Sequence, residues 1–208
     1  MTVAATMDLD NRRGFVERRT GVRQISVFRV GRLVDAGQDQ LCVVRDLSAT
    51  GAMIEVNRVP AVGARVQIDL RSDKCYPATV RWARQRKAGV QFDLPVDIEA
   101  VLREERQSIR RRHPRAPRFE RPGQVRIMSG RGICEGAIAN ISIVGVAVKT
   151  PDLFAKDEPV VVIIDGLGAT HGFARWTLDG ETGFRLASPL SYRALADWLD
   201  AHAGTALP

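Results

Sequence analysis

The chain repeats itself, and that limits what it can fold into. Asp46-Leu47-Ser48-Ala49-Thr50-Gly51 is matched by Asn140-Ile141-Ser142-Ile143-Val144-Gly145 at an offset of 94 residues. The same offset carries Arg81-Trp82 onto Arg175-Trp176, Gly89 onto Gly183, and the segment after Pro95 onto the segment after Pro189. Upstream, Arg19 and Arg23 match Arg111 and Arg115 at an offset of 92, so a two-residue insertion separates this pair from the turn. Landmarks in one order with a single small indel define a tandem duplication. Its boundary falls near residue 108, giving units over 15–107 and 108–205. Each is long enough to bury a core of its own, with little surplus stability.

Within a unit, short segments rich in Val and Ile alternate with Gly, Pro and Asp punctuation. In the first they run 25–33, 41–46, 52–57, 64–70, 78–83 and 89–93. Six short strands so spaced, then a helix, suggest a small antiparallel barrel. After Pro95, Asp97 can cap a helix with Ile98, Val101 and Leu102 on one face. In the second unit, Ser191 can cap a helix carrying Tyr192, Leu195, Ala196 and Leu199 at helical spacing. These stripes are expected to seal one end of each barrel. The fold class is therefore all-β with terminal helices: two six-stranded antiparallel β-barrels, each followed by a C-terminal helix. The first helix is expected to continue through Arg103 towards Arg112 and to join the units semi-rigidly, since no Gly/Ser-rich linker intervenes.

Composition removes several functions. No apolar run approaches the roughly 18 residues of a membrane span; the longest, Pro159–Ile164, has the length and β-branching of a buried strand. The first eleven residues have no signal-peptide pattern and suggest a short disordered lead-in, so a cytoplasmic location is expected. Cys42, Cys75 and Cys134 stand far apart, as do His113, His171 and His202, which argues against a zinc site or a disulfide framework. The formal net charge is +7, and the cations are 27 Arg against 4 Lys. Arginine's planar fork grips phosphates and guanine edges in pairs of hydrogen bonds and stacks on flat rings.

The placement of these arginines carries more than their number. Arg19 with Arg23, and Arg111 with Arg115, each stand just ahead of the first strand of their unit, where an extended lead could wrap an anionic ligand. Pro114 biases His113 towards extended backbone. The turns supply complementary chemistry. Asp46 or Asn140 offers an oxygen to N–H donors such as those on guanine's Watson–Crick edge. Ser48 or Ser142 offers a small hydroxyl, and Gly51 or Gly145 permits positive φ or close approach of backbone. Each turn taken alone is also consistent with a self-capped Asx-turn.

On these residues both units resemble the PilZ domain, a six-stranded barrel with a C-terminal helix that is a receptor for cyclic di-GMP. The resemblance covers nearly the whole chain. It implies that Arg19, Arg23, Arg111 and Arg115 form the family's R-x-x-x-R arms, and that Asp46, Ser48, Gly51, Asn140, Ser142 and Gly145 form its (D/N)-x-S-x-x-G turns. The Trp82/Gly89 and Trp176/Gly183 pairs resemble its later strands. The copies depart from the pattern differently. The first has the ionised Asp46 and small Ala49-Thr50 but no arm proline; the second has Arg-Arg-His-Pro-Arg but a neutral Asn140 and bulky Ile143-Val144. Both are expected to bind, the first turn being the firmer.

The expected protein is thus a non-enzymatic effector with no cofactor, taking cyclic di-GMP as ligand and acting on a downstream protein. Two alternatives stand. A pI near 10 and nine arginines between Arg103 and Arg126 are compatible with nucleic-acid binding, although aromatic residues are only 6% and form no stacking comb. A PilZ-like protein that has lost ligand and acts through protein contacts is the other. Asp165-Gly166-Leu167-Gly168 mimics a dinucleotide loop, but its glycine spacing is wrong and no helix follows, so a hairpin is expected.

Overall fold

The computed structural model describes residues 25–71, 74–101 and 116–203. Twelve strands form two closed barrels. The first contains β1 (Ile25–Asp35), β2 (Gln38–Ser48), β3 (Gly51–Val56), β4 (Arg65–Arg71), β5 (Lys74–Arg84) and β6 (Lys87–Phe92). The second contains β7 (Gln124–Ser129), β8 (Gly132–Ser142), β9 (Gly145–Lys149), β10 (Pro159–Ile164), β11 (Gly168–Leu178) and β12 (Glu181–Leu186). The first ring runs β1-β2-β3-β6-β5-β4 and closes through antiparallel pairing of β1 with β4. The second repeats it as β7-β8-β9-β12-β11-β10, closed by β7 on β10. Closure leaves no sheet edge to template aggregation.

Hairpins do most of the connecting. Leu178 pairs with Glu181 across Asp179-Gly180, whose φ values of 51° and 77° are both left-handed. An Asp-Gly pair in this conformation matches the twist of the flanking strands. The dinucleotide mimic is likewise a hairpin, with Ile164 pairing Gly168. The strands run longer than the apolar segments suggest, because turn-flanking polar residues still pair.

Alternation builds the interiors. Leu33, Cys42, Val44, Ile54, Ile68, Val80 and Val90 fill the first barrel; Val125, Ile127, Ile138, Val148, Val162, Ile164 and Phe184 fill the second. Pro159–Ile164 is only half a core strand: Val160, Val162 and Ile164 point inward, while Val161 and Ile163 are half-exposed. Residues 98–101 are helical, and Asp97 Oδ1 accepts from the Ala100 N–H at 2.9 Å, an N-cap as expected. Leu102, the expected continuation of that helix through Arg103 towards Arg112 and the residues up to Arg115 lie outside the described residues, as does the N-terminal lead-in.

The C-terminal helix, Tyr192–Ala201, differs from expectation in two ways. Ser191 occupies its N-cap position but makes no side-chain capping bond. Trp198 joins Leu195, Ala196 and Leu199 in the core, and its indole Nε1 donates to the Asp165 carbonyl at 2.8 Å. That bond fastens the helix to the β10–β11 hairpin. The helix also reaches the first barrel. Leu41, on the outer face of β2, belongs to the second barrel's core, and the Tyr192 hydroxyl is shared between the carbonyls of Leu41 (3.4 Å) and Glu55 (3.3 Å). Burial pushes the Tyr192 hydroxyl above its ordinary pKa, helped by Cys42 and Glu55. Around this contact Arg121 pairs with Asp39, Arg58 with Asp200 at 3.2 Å, and Asn57 donates to Asp197 at 2.9 Å. No helix among the described residues is long and apolar enough to cross a membrane.

Candidate ligand-binding site

Each barrel carries a pocket on its outer surface, and the two pockets occupy the same place in their repeats. The first, about 260 Å³, is lined by Asp46, Ser48, Gly51 and Met53 on one side and by Arg81, Trp82 and Gly89 on the other. The second, about 420 Å³, is lined by Asn140, Ser142, Gly145 and Ala147 opposite Arg175, Trp176 and Gly183, with Arg118 and Arg185 at its rim. The turn residues of both repeats therefore meet a tryptophan wall.

β-Bulges aim the side chains. Pairing of β2 with β3 slips between Val44 and Asp46, and that of β8 with β9 between Ile138 and Asn140. Pairing of β5 with β6 slips between Val80 and Trp82, and that of β11 with β12 between Ala174 and Trp176. A bulge breaks inside-outside alternation and redirects the residues that follow. Hence Arg81 and Trp82 are both exposed although consecutive, and so are Arg175 and Trp176. Trp82 retains 43% exposure and Trp176 39%, large for indoles on a sheet.

Glycine holds each indole down. Gly89 pairs with Trp82 and Gly183 with Trp176. A Cβ on Gly183 would lie 2.7 Å from Cζ2 of Trp176 and closer still to Nε1 and Cε2, so the ring rests on bare backbone. The turn glycines act by the same logic. A Cβ on Gly145 would meet the Phe184 carbonyl oxygen at 2.7 Å, and one on Gly51 would strike that of Val90. Of the two roles open to these glycines, the structure selects close approach; neither has positive φ.

The serine hydroxyls are already engaged. Ser48 Oγ donates to the Gly51 carbonyl at 3.0 Å and accepts from its N–H at 3.2 Å; Ser142 Oγ donates to the Gly145 carbonyl at 3.1 Å. They shape the turn. The turn backbone is tied down further: the carbonyls of Ala49 and Thr50 accept from Val96 (2.8 Å) and Phe92 (2.9 Å), and those of Ile143 and Val144 from Leu190 (2.8 Å) and Leu186 (3.0 Å).

Arg19, Arg23, Arg111 and Arg115 lie outside the described residues. The chain that follows each arm is described, and it leads to the turn. Ile25 and Ser26 pair with Leu47 and Asp46, while Phe119 exchanges backbone bonds of 2.8 and 2.9 Å with Ile141. Sequence reasoning noticed Arg81-Trp82, Gly89 and their counterparts as repeat landmarks without assigning them to the site. Their conservation of offset was the available signal. No arginine stands at the places in the first repeat equivalent to Arg118 and Arg185, so repetition could not flag them. The thiols lie elsewhere: Cys42 inside the first barrel, where burial pushes its pKa up to about 12, Cys75 exposed and Cys134 half-buried. Among the described residues no cluster of His, Cys, Asp and Glu could hold a metal ion.

The PilZ domain family model matches residues 17–107 and 109–191, and the chain belongs to the PilZ domain family. Similar solved structures include the Borreliella burgdorferi PlzA protein in complex with c-di-GMP, 10% identical with a TM-score of 0.40, covering 84% of this chain and 88% of that one. The Bacillus subtilis inhibitor of motility, MotI/DgrA, is 12% identical with a TM-score of 0.36, covering 85% and 97%. The PilZ domain of CeSA from a cellulose-synthesizing bacterium is 21% identical with a TM-score of 0.35, covering 41% and 99%. Among curated proteins nothing matches.

Proposed function

We propose that the chain is a cytoplasmic receptor for cyclic di-GMP that binds through both repeats and passes the signal to a protein partner. The observation that carries this reading is the recurrence of one pocket, turn facing tryptophan, at equivalent places in two PilZ units. In each, an exposed indole offers a flat face for a purine and a neighbouring arginine offers charge-assisted hydrogen bonds to phosphate. Asp46 or Asn140 supplies an acceptor for guanine N–H groups.

The arms complete this reading. Arg23 stands two residues before Ile25, whose partner Leu47 lies within the turn motif. An extended chain advances at most about 3.6 Å per residue, so this arginine starts within reach of the pocket. A double arm of this kind closes over an anion and strengthens each contact by excluding water.

Calorimetry of the full chain with cyclic di-GMP tests the proposal. Binding with micromolar or tighter affinity is expected, weakened about tenfold or more by Arg19→Ala or Arg111→Ala at the corresponding site. Absence of binding by the intact chain, by calorimetry at two temperatures, at ligand concentrations around 100 µM (roughly 5.5 kcal/mol of binding free energy) would refute it. Tight DNA binding with a steep salt slope and no response to the dinucleotide would favour the nucleic-acid alternative instead.

A further inference from the structure

The two pockets are built alike but charged and sized differently. Among described residues lining the first pocket the ionisable side chains are Asp46 and Arg81, one acid against one base. Those lining the second are Arg118, Arg175 and Arg185, with no carboxylate. The difference arises at particular positions. Gln91 of the first repeat corresponds to Arg185 of the second: each pairs with the turn glycine, Gly51 or Gly145. In the first repeat the Gln91 side chain accepts a 2.7 Å bond from Arg81 Nε, occupying the one cation there. In the second, Arg175 is paired instead with Asp157, and Arg185 stands exposed beside the turn with no carboxylate partner among the described residues. Arg118 enters from the chain just after the second arm, anchored by the Phe119–Ile141 bridge.

Size follows the same direction. Met53 of the first repeat, paired with Gly89, becomes Ala147 paired with Gly183. Removing that thioether from beside the indole accompanies the larger opening, about 420 against 260 Å³. A flat purine needs open space over the tryptophan, and a doubly anionic ligand gains from each guanidinium not already paired.

We infer that the second repeat holds the tighter site for the dinucleotide, with Arg185 and Arg118 as its additional phosphate ligands and Ala147 as the opening that admits a base; this rests on the cyclic di-GMP reading above. It reverses the order expected from the turn sequences, where Asp46 favours the first repeat. The neutral Asn140 then becomes an advantage, since it adds no negative charge beside two phosphates.

The test uses the unaltered full chain and cyclic di-GMP, with calorimetry for affinity and the separately resolved indole N–H resonances of Trp82, Trp176 and Trp198 to assign each class of site to its pocket. Two classes of site are expected, the tighter one titrating with Trp176. Arg185→Gln, which installs the first repeat's residue, should weaken that class about tenfold and reduce its salt sensitivity. The reciprocal Gln91→Arg with Met53→Ala should tighten the weaker class. Circular dichroism establishes that the variants fold; these side chains are exposed or half-buried. Equal classes, a tighter class that does not titrate with Trp176, or indifference to Arg185→Gln would overturn the inference while leaving the receptor reading intact. No binding by the unaltered chain would instead remove the reading on which it rests.

Discussion

Replacing Gly183 with alanine should destabilise the second barrel because of one neighbour, and removing that neighbour should reverse the sign. The added methyl falls within the Trp176 indole, 2.7 Å from Cζ2 and nearer to two other ring atoms, where ordinary contact needs 3.4–4 Å. Backbone flanks the glycine, so the ring must move. A tryptophan buries about 150–250 Å²; giving up roughly 80 Å² of contact at about 25 cal/mol per Å² costs ~2 kcal/mol. Against this, Ala is favoured over Gly within a strand by about 0.5–1 kcal/mol. Gly183→Ala should therefore cost about 1–1.5 kcal/mol in the native chain. In a Trp176→Ala background it should stabilise by about 0.5–1 kcal/mol. The assay is a double-mutant cycle by urea unfolding followed by circular dichroism, with ligand titration alongside. A coupling near 2 kcal/mol is expected, together with weaker binding when the wall is displaced. Additive effects would show that the indole does not rest on the glycine.

Three further perturbations address the rest of the molecule. The Arg121–Asp39 pair is largely buried at the barrel junction, with side-chain exposures of 13% and 17%; Asp39→Ala leaves the guanidinium its backbone acceptors at Glu120 and residue 39 but no carboxylate and should cost up to about 3 kcal/mol, seen as separate unfolding of the barrels and a larger radius in X-ray scattering, whereas a single unchanged transition would count against a fixed junction. Asp97→Ala should cost about 1 kcal/mol because its side chain caps, while Ser191→Ala should cost little because that hydroxyl makes no cap bond; equal losses in urea unfolding would contradict the assignment. Cys42 is held protonated, its pKa raised by burial from 9.0 to about 12, so its contribution is complete below pH 9 and is lost as pH rises towards 12. Between pH 9 and 10 the native chain should lose stability more steeply than Cys42→Ala, by up to about 1.4 kcal/mol per pH unit; parallel curves from urea midpoints would refute this.

The architecture was legible because duplication supplies an internal control. A turn seen once is weak; the same turn at the same distance from the same Arg-Trp pair identifies strands that periodicity alone leaves ragged. What stayed hidden depended on broken alternation. Arg81-Trp82 gives no sign that both residues face outward, since a bulge is a register event between two strands and leaves no local pattern in either. The serine hydroxyls posed a similar difficulty: their chemistry permits ligand contact as well as self-capping, and only the structure shows the self-capping bonds of 3.0–3.1 Å to the turn glycines. Leu41 could not be placed in the second core either, because the equivalent position of the other repeat is Glu135, exposed to solvent. Interfaces between repeats break the symmetry that made the repeats visible.

That asymmetry bears on how a bound ligand could be felt elsewhere. The turn of the second pocket is bonded through the carbonyls of Ile143 and Val144 to Leu190 and Leu186. Two residues after Leu190 stands Tyr192, whose hydroxyl is shared by carbonyls of β2 and β3. Those two strands meet at Ser48 and Gly51, the turn of the first pocket. A continuous run of backbone and one phenol thus joins the pockets through the start of the C-terminal helix. Continuity alone carries no coupling energy; a ligand shifts this junction only if it binds one arrangement of the barrels better than another. Among the described residues the first repeat shows no reciprocal route: Val96 leads to a helix whose residues 98 and 101 pack on their own barrel. The Asp39→Ala chain reads the distinction directly: any effect that occupancy of the second pocket has on affinity at the first in the native chain should be lost once the junction is opened. Retained interaction between the sites would place the coupling outside this path.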